Sequence, residues 1–175
     1  MITQYLKVKE KYPETLVFYR VGDFYEMFFE DAVTASRELD LVLTGKAAGV
    51  EDKVPMCGVP HHAVSTYVQR LVQRGYKIAI VEQMQDPKEA KGIVERDVIR
   101  VITPGTVMEE IGDEKASVFL AAVEDHGYGY CLSLAEVSTG ESVIVDIPHS
   151  RNELIQTLVR SSVREVVTAH DFDES

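Results

Sequence analysis

The stretch LVFYRVGDFYEMF, residues 16–28, predicts a β-hairpin near the start of the fold. Residues 16–21 are rich in β-branched and aromatic side chains, which is typical of a strand. The Gly-Asp pair at 22–23 follows at once, and glycine at the first of two turn positions is typical of a type II′ hairpin turn. We therefore expect the tripeptide FYE at 24–26 to lie at or just beyond a tight turn.

The chain after the hairpin alternates between helix and strand patterns. Apolar residues recur at helical spacing from Val64, and Gly75 ends that pattern. The predicted elements are a helix at 30–39, a strand at 41–44, a loop at 45–62, a helix from 64, a strand at 76–82, a polar loop or short helix at 84–95 and a strand at 97–103. Interleaved helices and strands predict an α/β fold with a mixed sheet flanked by helices.

A second unit is predicted after residue 116. The acidic segment EEIGDEK at 109–115 lacks periodicity, which is typical of a linker. Three strand patterns follow, then a helix that opens with the capping box Ser150-x-x-Glu153, then one more strand. This β-β-β-α-β run opens a domain without completing it, so we expect the chain to be cut at its C-terminus.

The charge of the chain is unevenly distributed. The net charge is −11, which argues against a general nucleic-acid binder with a basic face. Residues 1–110 carry 14 Lys and Arg against 17 Asp and Glu, whereas residues 111–175 carry 4 against 12. An anionic partner is therefore expected to meet the first unit.

Composition limits the class and location of the protein. No apolar run approaches 18 residues, so the sequence predicts no transmembrane helix and no membrane partner. The N-terminus has no apolar region typical of a signal peptide. The two cysteines, Cys57 and Cys131, do not form a disulfide framework, and we expect a cytoplasmic location.

Catalytic and metal-binding motifs give little support to an enzyme. The only Gly-Lys pair lacks the remainder of a phosphate-binding loop. Cys57, His61 and His62 have the spacing C-x3-H-H and offer three possible zinc ligands. A fourth ligand is missing nearby and Pro60 intervenes, so a packed cysteine with two polar histidines is the favoured interpretation and no metal site is predicted.

Six aromatic residues fall within a dozen positions of the hairpin: Phe18, Tyr19, Phe24, Tyr25, Phe28 and Phe29. Strand alternation should send half of them into a core. Core packing explains less well an aromatic pair beside a tight turn that is followed by Glu26. From the residues alone, core packing is the favoured interpretation of FYE, and a binding role stays open.

Several spaced motifs resemble the MutS family of DNA mismatch-repair proteins over essentially the whole chain. They are GDFYEMF at 22–28, VPMCGVPHHAV at 54–64, RGYKIAIVEQMQDP at 74–87, KGIVERDVIRVITPGT at 91–106 and VFLAAV at 118–123. The resemblance implies a mismatch-recognition domain at 1–108, a linker at 109–116 and, at 117–175, the N-terminal part of a truncated RNase-H-like connector domain.

The resemblance also implies roles for single residues. Phe24 matches the phenylalanine that enters from the minor groove and stacks on a mispaired or unpaired base, and Glu26 matches the glutamate that hydrogen-bonds that base. Tyr25 lies between them in the motif and is also expected to take part in DNA binding. Met56, in the predicted loop 54–62, is expected to contact the backbone or minor groove, with a core position as an equal alternative.

The expected partner is duplex DNA with mismatches or small loops. For the full-length protein the resemblance implies a homodimer, a MutL-type repair partner, and ATP with Mg²⁺ bound by domains beyond residue 175. No cofactor and no catalysis are expected in the chain itself. The alternative is an interdomain or protein-interaction fragment with little DNA affinity of its own, which the acidic charge favours.

Overall fold

The computed structural model describes residues 1–47, 53–85, 94–106, 119–170 and 172. The chain divides into two compact units, Met1–Thr103 and Pro104–Ser175. Each unit is built of one β-sheet and the helices packed on it, so the predicted α/β class is confirmed. In the described parts of the chain, none of the helices has the length and apolar character needed to cross a membrane.

The first unit contains a six-stranded mixed sheet. Its elements in chain order are α1 (Ile2–Lys11), β1 (Thr15–Val21), β2 (Phe24–Phe28), α2 (Phe29–Leu39), β3 (Thr44–Lys46), β4 (Val54–Pro60), a 3-10 turn (His61–Ala63), α3 (Val64–Gln73), β5 (Lys77–Gln83) and β6 (Arg96–Ile102). The strand order is β3-β4-β2-β1-β5-β6, with β1 parallel to β5 and the other pairs antiparallel.

The predicted hairpin is confirmed. Val21 pairs with Phe24, which leaves Gly22 and Asp23 as a two-residue turn between β1 and β2. Gly22 has a φ of 57°, whereas the φ of Asp23 is not positive. A positive φ at the first turn position only is what a type II′ turn requires, and glycine adopts it without steric strain.

The predicted strand at 41–44 and the predicted loop at 45–62 are both wrong. The strand β3 begins only at Thr44, and β4 occupies much of the expected loop and pairs with β2. Pro55, Gly58 and Pro60 hid this strand, because proline and glycine are depleted in strand interiors. Pro55 lies just before the residues of β4 that pair with β2, and Pro60 is the last residue of that pairing.

Helices cover both faces of this sheet. On one face, Tyr5 of α1 packs into a core with Val17, Tyr19 and Phe28. Strand alternation places Cys57 on the other face, where its thiol contacts Ala32 of α2 and where α3 also packs. The end of the β1–β2 hairpin is exposed beside this α1 face.

The second unit has the predicted β-β-β-α-β order. Its elements are β7 (Phe119–Asp125), β8 (Gly129–Glu136), β9 (Ser142–Pro148), α4 (Arg151–Arg160) and β10 (Val163–Thr168). The sheet order is β10-β7-β8-β9, with β10 parallel to β7. Ser150 caps α4 by accepting a hydrogen bond from the backbone N–H of Glu153 at 3.4 Å. The predicted linker at 109–116 lies outside the described residues.

Candidate nucleic-acid interface

Phe24 is the exposed aromatic residue at the tip of the hairpin. It is the first residue of β2, and its side chain is 48% exposed. Phe28 lies on the same strand face, four residues further on, and is fully buried. The tight turn therefore carries Phe24 beyond the edge of the core, while the rest of β2 stays packed.

Glu26 lies between Phe24 and Phe28 on the same face of β2. Its backbone is paired with Gly58 of β4, and a Cβ built at Gly58 would stand 3.7 Å from Glu26 Cγ. The absence of a side chain at Gly58 thus leaves space beside the glutamate. The Glu26 side chain is 15% exposed, and Lys46 of β3 donates a hydrogen bond to its Oε2.

Tyr25 faces the opposite side of the sheet from Phe24 and Glu26. It is 5% exposed, and its hydroxyl donates a hydrogen bond to Glu82 Oε1. Arg20 lies 3.5 Å from the same carboxylate oxygen and 5.5 Å from the centre of the tyrosine ring. Burial, with a further contribution from Glu82, raises the pKa of Tyr25 to about 12. Of the three FYE residues, the structure brings together only the first and third.

Met56 lies on the same sheet face as Glu26, within β4. It pairs with Phe28 on one side and Thr44 on the other. Its side chain is partly buried and packs against the core that contains Phe28. Met56 is intermediate in exposure, so neither a DNA contact nor a core role is decided by this position.

The three possible metal ligands have separate environments. The Cys57 thiol is buried 3.4 Å from the carbonyl oxygen of Ala32, and burial raises its pKa to about 11. His61 and His62 are exposed in the 3-10 turn, with ring centres 5.9 Å apart. Within the described ranges, no three His, Cys, Asp or Glu side chains form a group suited to a metal ion.

Two residues of this surface were missed in the sequence. Gly58 carried a usable signal, since a glycine within a strand marks a close approach of another group, but the strand itself was not predicted. Lys46 carried no such signal. It meets Glu26 only because β3 and β2 flank β4, and twenty residues separate the two side chains in the chain.

Comparisons with known proteins identify the family. A family model described as MutS domain I matches residues 1–111. DNA mismatch repair protein MutS of Clostridium botulinum (strain Alaska E43 / Type E3) is 45% identical over 168 residues, which cover 95% of this chain and 18% of that protein. The protein of the same name from Bacillus subtilis (strain 168) is 46% identical over 174 residues, 99% of this chain and 20% of that protein. The chain spans about a fifth of the length of these curated relatives. It belongs to the MutS domain I family.

Proposed function

We propose that this chain recognises mispaired or unpaired bases in duplex DNA, as the N-terminal part of a MutS mismatch-repair protein. The observation that carries the proposal is the half-exposed ring of Phe24 at the hairpin tip, with Glu26 on the same face. Large aromatic rings are normally buried. A ring held outside the core by a tight turn is suited to stacking on a base.

The wedge works by reading how easily DNA deforms. Inserting an aromatic side chain between base steps unstacks them, which costs a few kcal/mol per step. The cost is lowest where a base is already mispaired or unpaired. Phe24 therefore selects faulty sites without reading the surrounding sequence, because the energy of deformation carries the specificity.

Glu26 supplies a hydrogen bond to the base that stacks on Phe24. An ionised carboxylate accepts hydrogen bonds, for example from the N3–H of thymine, whereas a protonated one can donate to a purine N7. The negative charge also disfavours insertion into intact duplex, since it is brought near phosphates. Tyr25 supports both neighbours from the opposite face through its bond to Glu82.

The remaining assignments extend this proposal to the whole chain. Residues 1–108 form the recognition domain, 109–116 the linker, and 117–175 the start of an RNase-H-like connector. The order β10-β7-β8-β9, with three antiparallel strands and a fourth added in parallel, supports the connector. Limited proteolysis tests the boundaries: we expect the first cut within 105–116, and a first cut inside 16–44 would contradict them.

Catalysis and assembly belong, in this proposal, to the rest of the full-length protein. The chain is a cytoplasmic binding module. ATP and Mg²⁺ bind to later domains, which also form the homodimer, and a MutL-type protein follows as the repair partner.

A chimera tests the DNA-binding proposal. In it, residues 1–175 replace the matching region of the Bacillus subtilis relative, and the protein is titrated at low salt with a matched duplex and with a duplex carrying one unpaired thymine. We expect tighter binding to the unpaired base. Equal binding to both duplexes would favour the alternative of an interaction fragment with little DNA affinity. The acidic charge of the second unit is the observation behind that alternative.

A further inference from the structure

The two oxygens of the Glu26 carboxylate differ in their surroundings. Oε2 accepts a hydrogen bond from Lys46 Nζ. Within the described part of the chain, Oε1 has no hydrogen-bond partner. Among the described residues, the protein therefore holds one oxygen through Lys46 and places no partner on the other, and the carboxylate lies on the face that also carries Phe24.

The lysine that holds Oε2 is itself restrained. Lys46 ends β3, a three-residue edge strand, and its ammonium group lies 5.5 Å from the centre of the buried Phe28 ring. Its side chain is 29% exposed, against 15% for Glu26. Because both side chains are largely shielded from water, the attraction between them is screened less than that of a solvated surface pair.

The space that the pair occupies is created by Gly58. Lys46 reaches Glu26 across β4, and the β4 residue opposite Glu26 has no side chain. Three adjacent strands thus cooperate in placing one carboxylate. The pair joins side chains from two strands that β4 separates, twenty residues apart in the chain.

We propose that Lys46 is a positioning residue for Glu26: it holds Oε2 so that Oε1 presents a fixed acceptor to the base stacked on Phe24. This inference rests on the proposed function and extends it to specificity. An ion-paired carboxylate only accepts hydrogen bonds. Thymine and guanine present a ring N–H to the carboxylate, whereas adenine has only its exocyclic amino group as a donor and its ring nitrogens repel the carboxylate oxygen. Thymine and guanine are therefore favoured over adenine.

A direct contact between Lys46 and a DNA phosphate is the competing explanation, and the two differ in their consequences. A phosphate contact contributes to binding of all sequences and changes the dependence of affinity on salt. A positioning role acts only through Glu26. It therefore affects one class of unpaired base and disappears when Glu26 no longer carries a carboxylate.

The experiment uses the chimera and three duplexes: matched, with one unpaired thymine, and with one unpaired adenine. Lys46→Met removes the ammonium group and keeps the chain length, Lys46→Arg keeps the charge, and Lys7→Met is the control on the exposed side of α1. We expect Lys46→Met to weaken binding to unpaired thymine roughly tenfold, the size of one charge-assisted hydrogen bond. Binding to the other two duplexes should change less than about twofold on the same basis, and Lys46→Arg and Lys7→Met should resemble the parent.

The Glu26→Gln background supplies a second measurement. There, Lys46→Met should have no further effect on the preference for thymine. Equal weakening on all three duplexes, or no change on any, would overturn the positioning role. If the parent chimera itself shows no preference for an unpaired base, the proposed function fails and this inference with it. If the parent chimera prefers the unpaired base and Lys46→Met does not change its binding, only the positioning role of Lys46 is overturned.

Discussion

The hydroxyl of Tyr25 donates a hydrogen bond to Glu82, two strands away on the face opposite to Phe24. Arg20, which pairs with Tyr25 in the hairpin, contacts the same carboxylate. Successive strand residues point to opposite faces. Anchoring Tyr25 on one face therefore also fixes the direction in which Phe24 and Glu26 project from the other.

Replacing Tyr25 by phenylalanine tests this anchor. The change removes one hydrogen bond and leaves the ring in place, so we expect a loss of about 1 kcal/mol in the free energy of unfolding. The pKa of the hydroxyl is raised to about 12 in the folded chain, against about 10 when unfolded. Its contribution is therefore fully present below pH 10 and is lost as the pH rises toward 12.

Denaturant unfolding of the parent and of Tyr25→Phe, measured from pH 8 to about pH 12, checks both statements. The difference in the free energy of unfolding between the two proteins should become smaller between about pH 10 and pH 12. Tyr5 and Tyr19 also have raised pKa values because of burial, so the difference between the proteins, rather than the parent alone, carries the result. A gap that stays constant with pH would contradict the anchor.

Among the described acidic residues of the first unit, Asp31 is the one whose replacement we expect to lower the free energy of unfolding most. It is buried in α2 and accepts hydrogen bonds from the Tyr5 hydroxyl at 2.6 Å, from Lys9 Nζ at 2.7 Å and from the backbone N–H of Val17 at 3.0 Å. Asp31→Asn keeps the shape but deprives Lys9 of its charge partner. We expect a destabilisation of about 3 kcal/mol.

The neighbouring Glu30 provides the matched control for Asp31, because it is exposed in the same helical turn. Glu30→Gln removes only an interaction with the helix dipole and should lower stability by less than about 1 kcal/mol. Urea unfolding of the two variants measures the contrast. Equal effects would mean that the buried network contributes little to stability.

Gly58 can be tested with side chains of increasing size. An alanine Cβ would contact Glu26 Cγ at an ordinary 3.7 Å and press on the Tyr25 carbonyl oxygen at 3.2 Å, so it requires only a small shift. The methyl groups of valine extend further into the space beside Glu26. We expect Gly58→Val to lose about 1–3 kcal/mol from overpacking and to lower the preference for unpaired thymine.

Gly58→Ala should retain most of that preference, so the two substitutions are best compared in the same DNA titration. Loss of preference that tracks side-chain size supports a role for the space itself. If valine leaves the preference intact, the space between Glu26 and Gly58 has no part in recognition.

Local signals in the sequence were sufficient for much of the fold. The turn glycine at 22 sets the hairpin, the apolar spacing from Val64 to Gly75 sets α3, and Ser150 sets the start of α4. Each of these features depends on residues that are close together in the chain. The β-β-β-α-β order of the second unit followed from the same kind of signal.

The features that the sequence did not predict depend on distant pairing. β4 was missed because its prolines and glycine obscure a strand that forms only between β2 and β3. The Lys46–Glu26 pair follows from that order, and so was missed with it. The buried network of Asp31 carries no local signal in the sequence, since its three donors come from other elements.

Phe24→Ala in the chimera, measured beside Phe28→Ala, is the sharpest test of whether the Phe24 ring recognises an unpaired base. Phe24 is half exposed, so its truncation should cost only about 1 kcal/mol of stability, whereas that of buried Phe28 should cost about 3–5 kcal/mol. The lost base stacking is worth roughly 1–3 kcal/mol. We expect Phe24→Ala to remain folded, to bind matched DNA as before and to lose its preference for an unpaired base. A large loss of stability, with the preference for an unpaired base unchanged among the folded molecules, would contradict this role and would mean that Phe24 serves core packing.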